Sequence, residues 1–411
     1  MNLLYTIGLY AAQFLLKLLA PFNSKLKLGV EGRAATFKIL QQHITKKDQT
    51  LWFHCASLGE YEQGLPVFKE LRKLYANHKI VLTFFSPSGY EIRKKTDVAD
   101  VVVYLPMDTK TNVKRFLNIL KPELTIFVKY DFWPNYLSEL KKRQHRAILI
   151  SAVFRPNQAF FKFYGGIMRK ALTAFEHIFV QNEASKSLLN SINFSNVTVS
   201  GDTRFDRVSD QLLQNNQLPF IETFKNQQLC VVIGSSWPED EELLVKFINN
   251  HTSKSVKYII APHNMKGSQI ANLVSKLDVK TVLYSEMEGK SLSEYSVFVI
   301  DTIGLLSKIY SYADIAYVGG AMGNTGLHNV LEPAVFGVPI IIGKEYSKFP
   351  EAYDMIENGG LISIKSYHEL ETTLNNIIDH PSEQKRLGEA NAHFIIKNKG
   401  AVIQILNYIR I

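Results

Sequence analysis

The chain has 411 residues, enough for two or three ordinary domains, and its 46% hydrophobic and 11% aromatic content excludes a disordered chain. Its two cysteines, Cys55 and Cys230, lie in apolar, strand-like runs, which excludes a disulfide framework and makes a reducing compartment the default. The net charge of +9 is uneven: residues 1–210 carry 30 Lys/Arg against 17 Asp/Glu (+13), and residues 211–411 carry 17 against 21 (−4). Such a basic half suits an anionic partner (phospholipid, an acidic lipid substrate or nucleic acid), or is simply a solvated face.

Residues 1–22, MNLLYTIGLYAAQFLLKLLAPF, are mostly apolar. At roughly 100° per residue, Asn2, Thr6, Gln13 and Lys17 fall in one narrow stripe of an amphipathic helix. About 20 residues can just span a bilayer, but Lys17 argues against a lipid-exposed span, and no small-residue cleavage site follows. With Lys25, Lys27, Arg33 and Lys38 behind it, the segment is expected to lie in the cytoplasmic membrane surface. A single span and a helix packed on the protein's own core are the alternatives.

Apolar runs then alternate with helical stretches such as Gln63–Tyr75 and Thr111–Leu120. The runs are Thr50–Ala56, Ile80–Phe85, Val101–Leu105, Leu124–Val128, Ala147–Ser151, His177–Val180 and Val197–Ser200. A polar stretch around 208–228 reads as a link. A second series follows: Leu229–Ile233, Lys257–Ala261, Val279–Leu283, Val297–Ile300, Ile315–Val318 and Val338–Ile342, with a helical tail from about 382. The pattern predicts an α/β protein of two doubly wound, Rossmann-like domains facing a central cleft, with ligands beyond the carboxyl ends of the strands. The expected divisions are a helix over 1–22, a domain over 23–210, a linker over 211–228 and a domain over 229–411.

The strand ends carry the candidate chemistry. In His54–Glu60 (HCASLGE), Ser57 and Gly59 lead into Glu60 at a helix start. There the helix dipole favours the ionised carboxylate, which can act as a general base; an ordinary N-terminal capping role is commoner. Trp133 in FWPN reads as core or cleft wall, while Arg155 and Arg204 stand at strand ends where they could meet anionic groups. In the second half, Ser235 and Ser236 could hold a phosphate or a sugar acid. Pro262–His263–Asn264 forms another such turn, where His263 contacts a base or phosphate or is merely solvated. The stretch Tyr317–Phe349 is the richest: a strand, a turn with Gly319, Gly320, Gly323 and Gly326, then His328, Asn329 and Glu332 at a spacing that predicts the first turn of a helix. Such a turn is a ready anion site, and Glu332 could accept hydrogen bonds from sugar hydroxyls, so the pair of features suggests a nucleotide-sugar; a plain structural turn is the alternative. No Cys/His cluster predicts a metal, and no Walker lysine, Gly-x-Gly-x-x-Gly or Gly-x-Ser-x-Gly motif is present.

Taken together, HCASLGE, FWPN, SAVF, GDTRFD, GSSWPEDEE and GLHNVLEPAVFGVPIIIG, in this order over about residues 1–350, resemble the 3-deoxy-D-manno-octulosonate (Kdo) transferases of Gram-negative bacteria. The resemblance implies a GT-B glycosyltransferase at the cytoplasmic face of the inner membrane, moving Kdo from CMP-Kdo to a lipid A precursor (lipid IVA) in lipopolysaccharide synthesis, without metal or other cofactor. It implies Glu60 as catalytic base and His328, Asn329, Leu331, Glu332 and Pro333 as part of the CMP-binding region. Ser235, Ser236, Pro262, His263, Gly323 and Gly326 are the other expected donor residues, and Ser57, Gly59, Asp131, Arg155 and Arg204 the expected acceptor residues. Three positions depart from the family pattern. Its Glu-Thr-Glu is Lys129-Tyr130-Asp131 here, the Arg of its Ser-Ala-Arg is Val153, and its Pro-Arg-His is Pro262-His263-Asn264. Two rivals remain at the level of the sequence: a GT-B transferase using a UDP-sugar on a membrane lipid, and a non-catalytic membrane-surface or nucleic-acid-binding protein. Nucleic acid is disfavoured because the basic residues form no recognisable binding module.

Overall fold

The computed structural model describes residues 3–251 and 256–409. The chain divides into two compact units: residues 1–207 with 399–411, and residues 208–398.

The first unit begins with helices α1 (Leu3–Leu19) and α2 (Ser24–His43), joined by a short turn of 3-10 helix, Ala20–Phe22. Its sheet contains β1 (Thr50–Cys55), β2 (Lys79–Phe84), β3 (Val101–Tyr104), β4 (Leu124–Val128), β5 (Arg146–Ala152), β6 (His177–Val180) and β7 (Val197–Val199). Every pairing is parallel, in the order β3-β2-β1-β4-β5-β6-β7. Helices cover both faces, so successive strand residues serve opposite cores: Leu51, Phe53 and Cys55 of β1 join one buried cluster, Trp52 the other. Helix α3 (Leu58–Leu74) follows β1, with Ser57 as its N-cap.

The second unit repeats the plan with β8 (Leu229–Ser236), β9 (Val256–Pro262), β10 (Thr281–Leu283), β11 (Val297–Val299), β12 (Ile315–Val318), β13 (Ile340–Ile342) and β14 (Leu361–Ser363). The order is β10-β11-β9-β8-β12-β13-β14, again all parallel. In both sheets the strand order reverses beside the first strand: between β1 and β4, and between β8 and β12. A ligand finds room at such a switch point because the connections leave in opposite directions and open a crevice beyond the carboxyl ends.

Two boundaries differ from those expected. The stretch expected as a linker, 211–228, includes a helix, Pro219–Lys225, whose Ile221 and Phe224 are buried within the second unit. The tail, expected to end the second domain, instead returns to the first unit. Its last helix, Ala401–Ile409, places Ile405, Leu406 and Ile409 in the Leu51–Phe53 core, and Asp206 accepts the amides of Gly400 and Ala401 at its start. An apolar helix face needs a core, and here the core, from Leu51 to Phe179, lies more than two hundred residues back in the chain.

In α1 the expected amphipathic helix forms, with much of its apolar face turned outward. Gln13 and Lys17 of the polar stripe line a cavity of about 230 Å³ with Arg33, Phe37 and Met107, while Ile7, Tyr10, Phe14 and Leu18 are exposed. Asn2, the first of the stripe, lies outside the described residues. Tyr5 fastens the helix by donating its hydroxyl to Asp108 at 2.7 Å. Tyr5–Phe22, with mean hydropathy 1.2 and 6% of the segment buried, is long and apolar enough to cross a membrane.

Candidate functional site

The first unit gathers part of the expected site at its switch point. Glu60 stands in the first turn of α3, 8% exposed. Ser57 donates its hydroxyl to Glu60 Oε2, and Oε1 has no protein partner among the described residues. Gly59 precedes it, and a Cβ there would meet nothing closer than Ser57 Oγ at 3.8 Å, so this turn is open. Across the switch point, Asp131 follows β4. His54, fully buried on β1, brings Nε2 within 2.5 Å of Asp131 Oδ2, and Trp133 donates its indole N–H to the same oxygen at 2.9 Å. On the other side of the imidazole, Nδ1 meets Thr83 Oγ1 at 2.8 Å, and Thr83 also accepts the indole N–H of Trp52. Thus Asp131 is aimed by a buried relay reaching across three strands, while its Oδ1 is left without a protein partner among the described residues. The Cys55 thiol at the end of β1 is pushed well up, first by burial and then by the charges of Glu60, Asp131 and Glu62, which places those carboxylates around one strand end.

The expected arginines behave differently. Arg155 is exposed in the loop after β5, where its backbone amide is bonded to Gln158 Oε1. Arg204 is folded onto Asp202, with Nε and Nη2 both 2.8 Å from Oδ2, so its charge is already answered within the unit. It is therefore a weaker anion ligand than its place at a strand end suggests, because a bound anion would have to displace a close carboxylate.

In the second unit the glycine-rich turn departs from expectation in its physics. The helix after it is a single turn, Leu331–Ala334; His328 and Asn329 lie in the loop before it, and only Glu332 is helical. Four residues sum to a small dipole, so the expected helix-terminus anion site is weak. Asn329 caps the turn by accepting the Leu331 amide at 3.2 Å and donates to Glu332 Oε1 at 3.1 Å; Glu332 Oε2 takes the Ser307 hydroxyl. Gly320 has φ +95, and a Cβ there would fall 2.1 Å from the Gly326 carbonyl, so only glycine closes the loop.

What holds this loop is Asp240, in the first turn of the helix Pro238–Asn250. Its fully buried carboxylate accepts the amides of Trp237 (2.9 Å), Gly320 (2.7 Å) and Met322 (3.4 Å) and the hydroxyl of Tyr317 (2.8 Å). Burial raises its pKa, and these donors pull it back. The protein's own carboxylate therefore takes an amide of the turn that the sequence marks as a ready anion site. The sequence signal was present: Asp240 stands three residues after Trp237, the capping-box spacing.

A cavity of about 270 Å³ opens beside this loop, lined by Ser236, Trp237, Pro262, Asn264 and Thr325 among others. Ser236 donates to Glu241 at 2.9 Å, and Ser235 adopts a left-handed φ of +54 where β8 breaks register. Trp237 stacks on His263 (4.6 Å, 19°), and His263 lies 4.5 Å from His328. The Trp237 indole N–H donates to His328 Nε2 at 3.2 Å. Burial, aided by His263, holds the His328 pKa down to about 4, so the ring is neutral near pH 7. An indole can only donate, so Nε2 is the bare nitrogen and Nδ1 carries the proton, a neutral donor fixed in place. At Gly323 a Cβ would meet the Glu239 carboxyl at 2.9 Å, and Glu239 lines the same cavity. Ser236, Pro262, His263 and His328 are thus brought together, whereas Glu332 and Asn329 turn to each other and to Ser307. Trp237 and Asn264 were not foreseen as members of the site. Among the described residues no group of three His, Cys, Asp or Glu side chains is placed to share a metal ion.

Residues 31–207 match the model of the family described as 3-deoxy-D-manno-octulosonic-acid transferase (kdotransferase). The chain is 28% identical over 360 residues to the 3-deoxy-D-manno-octulosonic acid transferase of Aquifex aeolicus, covering 85% of this chain and 93% of the relative. It is 27% identical over 378 residues to that of Haemophilus influenzae, covering 88% and 87%. Over most of its length the chain is therefore similar to the Kdo transferases. It is accordingly a glycosyltransferase. Its fold is similar to that of the UDP-GlcNAc 2-epimerase of Neisseria meningitidis, with a TM-score of 0.62 over 88% of this chain and 100% of the other at 15% identity. Two doubly wound, all-parallel units of this kind make the GT-B fold. The stretch matching the model contains the whole switch-point site of the first unit, from His54 through Asp131 to Arg155.

Proposed function

We propose that this glycosyltransferase moves Kdo from CMP-Kdo to a lipid A precursor, lipid IVA, with inversion at the anomeric carbon and without metal or other cofactor. An acceptor hydroxyl oxygen attacks the anomeric carbon, the bond from that carbon to the CMP phosphate oxygen breaks, and the electron pair leaves with CMP. Glu60 takes the hydroxyl proton on Oε1 while Ser57 holds Oε2. Asp131, aimed by His54 and Trp133, accepts a hydrogen bond from the incoming sugar. In the second unit, the Trp237–His263–His328 stack beside Ser236 and Pro262 receives the nucleotide, with the Nδ1–H of neutral His328 as a donor toward phosphate. Because the helix after the glycine turn is so short, this fixed donor replaces the dipole as the support for developing negative charge. The reading rests above all on one observation: a nearly buried carboxylate, with one oxygen held and the other unengaged, at the switch point of the family-matching unit. The outward apolar face of α1 and the basic first unit support a seat at the cytoplasmic face of the inner membrane, where such an acceptor resides.

The test is to incubate the full chain with a tetra-acylated lipid A precursor and a CMP-Kdo-generating system and weigh the product. A mass increase of one or more Kdo residues is expected; unchanged acceptor in the presence of verified CMP-Kdo overturns the proposal.

A further inference from the structure

We propose that the loop Phe163–Tyr164 is a second membrane contact, docking on a bilayer that contains anionic lipid and setting the carboxyl edge of the first sheet against it. It rests on the membrane reading of the acceptor given above, and extends it to a surface remote in sequence from α1.

Phe163 is 96% exposed and Tyr164 64%, with ring centroids 5.2 Å apart. A pair of large aromatic side chains held out together in water is a costly display for a soluble surface. Nor is it a floppy tip. Arg169 donates Nη1 to the carbonyls of both Phe160 and Lys162 at 2.8 Å, and the Gly165 amide bonds back to Lys162. At Gly165 a Cβ would lie 1.8 Å from the Ala159 carbonyl, so the turn closes only with glycine. Below the loop Phe160 is buried and packs 4.8 Å from Phe132, next to Asp131. The exposed pair therefore stands on a built platform joined to the candidate acceptor site.

Charge selects the occupant. From Val153 to Leu172 the chain carries Arg155, Lys162, Arg169 and Lys170 and no Asp or Glu. None of the four pairs with a carboxylate among the described residues. Rings beside unpaired cations match the interface of an anionic bilayer, where aromatic side chains settle at the headgroup level and Lys/Arg meet phosphate. The exposed face of α1 belongs to the same edge. Tyr5 bonds to Asp108, which follows β3 and accepts the amides of Asn135 and Tyr136, just beyond Asp131. Two apolar contacts on one edge fix an orientation that one helix alone leaves free to rotate.

The test compares the full chain with its Phe163→Ala/Tyr164→Ala variant by co-sedimentation with vesicles of phosphatidylethanolamine and phosphatidylglycerol. Both side chains are largely exposed, so the fold survives, and circular dichroism checks it. The variant should partition roughly fivefold more weakly, the expected loss for two interfacial rings, and Lys162→Glu should weaken binding to these vesicles but not to uncharged ones. With a vesicle-borne acceptor KM should rise by a similar factor, while kcat on a short-chain, water-soluble acceptor stays unchanged. Vesicle binding within twofold of the parent chain overturns the proposal and assigns the pair to a protein partner. The vesicle assay uses no donor, so a failure of the transferase reading leaves its outcome interpretable.

Discussion

Asp240→Ala should release the glycine loop and with it the donor site. The carboxylate gathers four donors from three segments: the Trp237 amide, the Tyr317 hydroxyl, and the Gly320 and Met322 amides. Alanine leaves these buried donors without their acceptor. Hydrogen bonds to a charged group contribute about 1.5–3 kcal/mol each, but the carboxylate's own burial offsets part of the gain, and Met322 at 3.4 Å contributes little. The net loss should be about 3–5 kcal/mol, the range for breaking a buried, fully bonded charge. Asparagine is the sharper probe. Turned to keep its oxygen on Trp237 and Gly320, it presents its amide nitrogen to Tyr317, whose hydroxyl can rotate to accept. Only the weak Met322 bond is then truly lost, so Asp240→Asn should cost about 1–2 kcal/mol. Urea unfolding of the second unit measures the stabilities, and calorimetric titration with CMP measures the site. We expect Ala to abolish measurable CMP binding and Asn to weaken it by less than tenfold. Ala and Asn variants both within about 0.5 kcal/mol of the parent chain would refute the idea that Asp240 holds the loop.

Other outcomes follow from the same geometry. Burial lifts the Asp108 pKa to about 6 from 3.8, so the folded chain keeps a proton that the unfolded chain releases. Folded-state proton binding is therefore greater between about pH 4 and 6, and stability should fall as pH rises through that window, by up to about 3 kcal/mol from this group. Urea midpoints across that range should show the slope in the parent chain and lose it in Asp108→Asn. His54→Ala should misdirect Asp131 and lower kcat/KM for transfer about a hundredfold, an effect of angstrom-scale misplacement, with CMP affinity unchanged; a loss in CMP affinity would show general unfolding instead. CMP should inhibit transfer competitively against donor while UDP does not, and excess EDTA should leave the rate within twofold. Inhibition by UDP would favour the UDP-sugar reading, and loss of activity with EDTA would overturn the cofactor-free one.

How far these features could be read beforehand depended on the range of the interaction behind each. Continuous apolar runs such as Leu124–Val128 announce buried parallel strands because both faces are covered, and the strand predictions hold through β13. The last strand, β14, escaped because three residues after Gly359–Gly360 are too few to show any period. The glycine turn was legible as a turn, since Gly320 needs a positive φ, but its chemistry was not. Whether a loop amide awaits a ligand or is taken by Asp240, eighty residues earlier, is decided by tertiary packing. The same holds for His54 and Asp131, 77 residues apart, and for the last helix, whose apolar face states a need for a core without saying which. Arg204 is the reverse case: its partner Asp202 sits two residues away, yet only the folded backbone brings the two side chains together.

The most direct measurement is single-turnover transfer by Glu60→Gln, with the acceptor in excess and CMP-Kdo prebound. The amide preserves the shape of the side chain and its bond to Ser57 while removing the base. CMP-Kdo affinity should stay within about twofold of the parent chain and the transfer rate should fall by at least a hundredfold, the usual contribution of a positioned base. Transfer at near-parental rate would contradict that role.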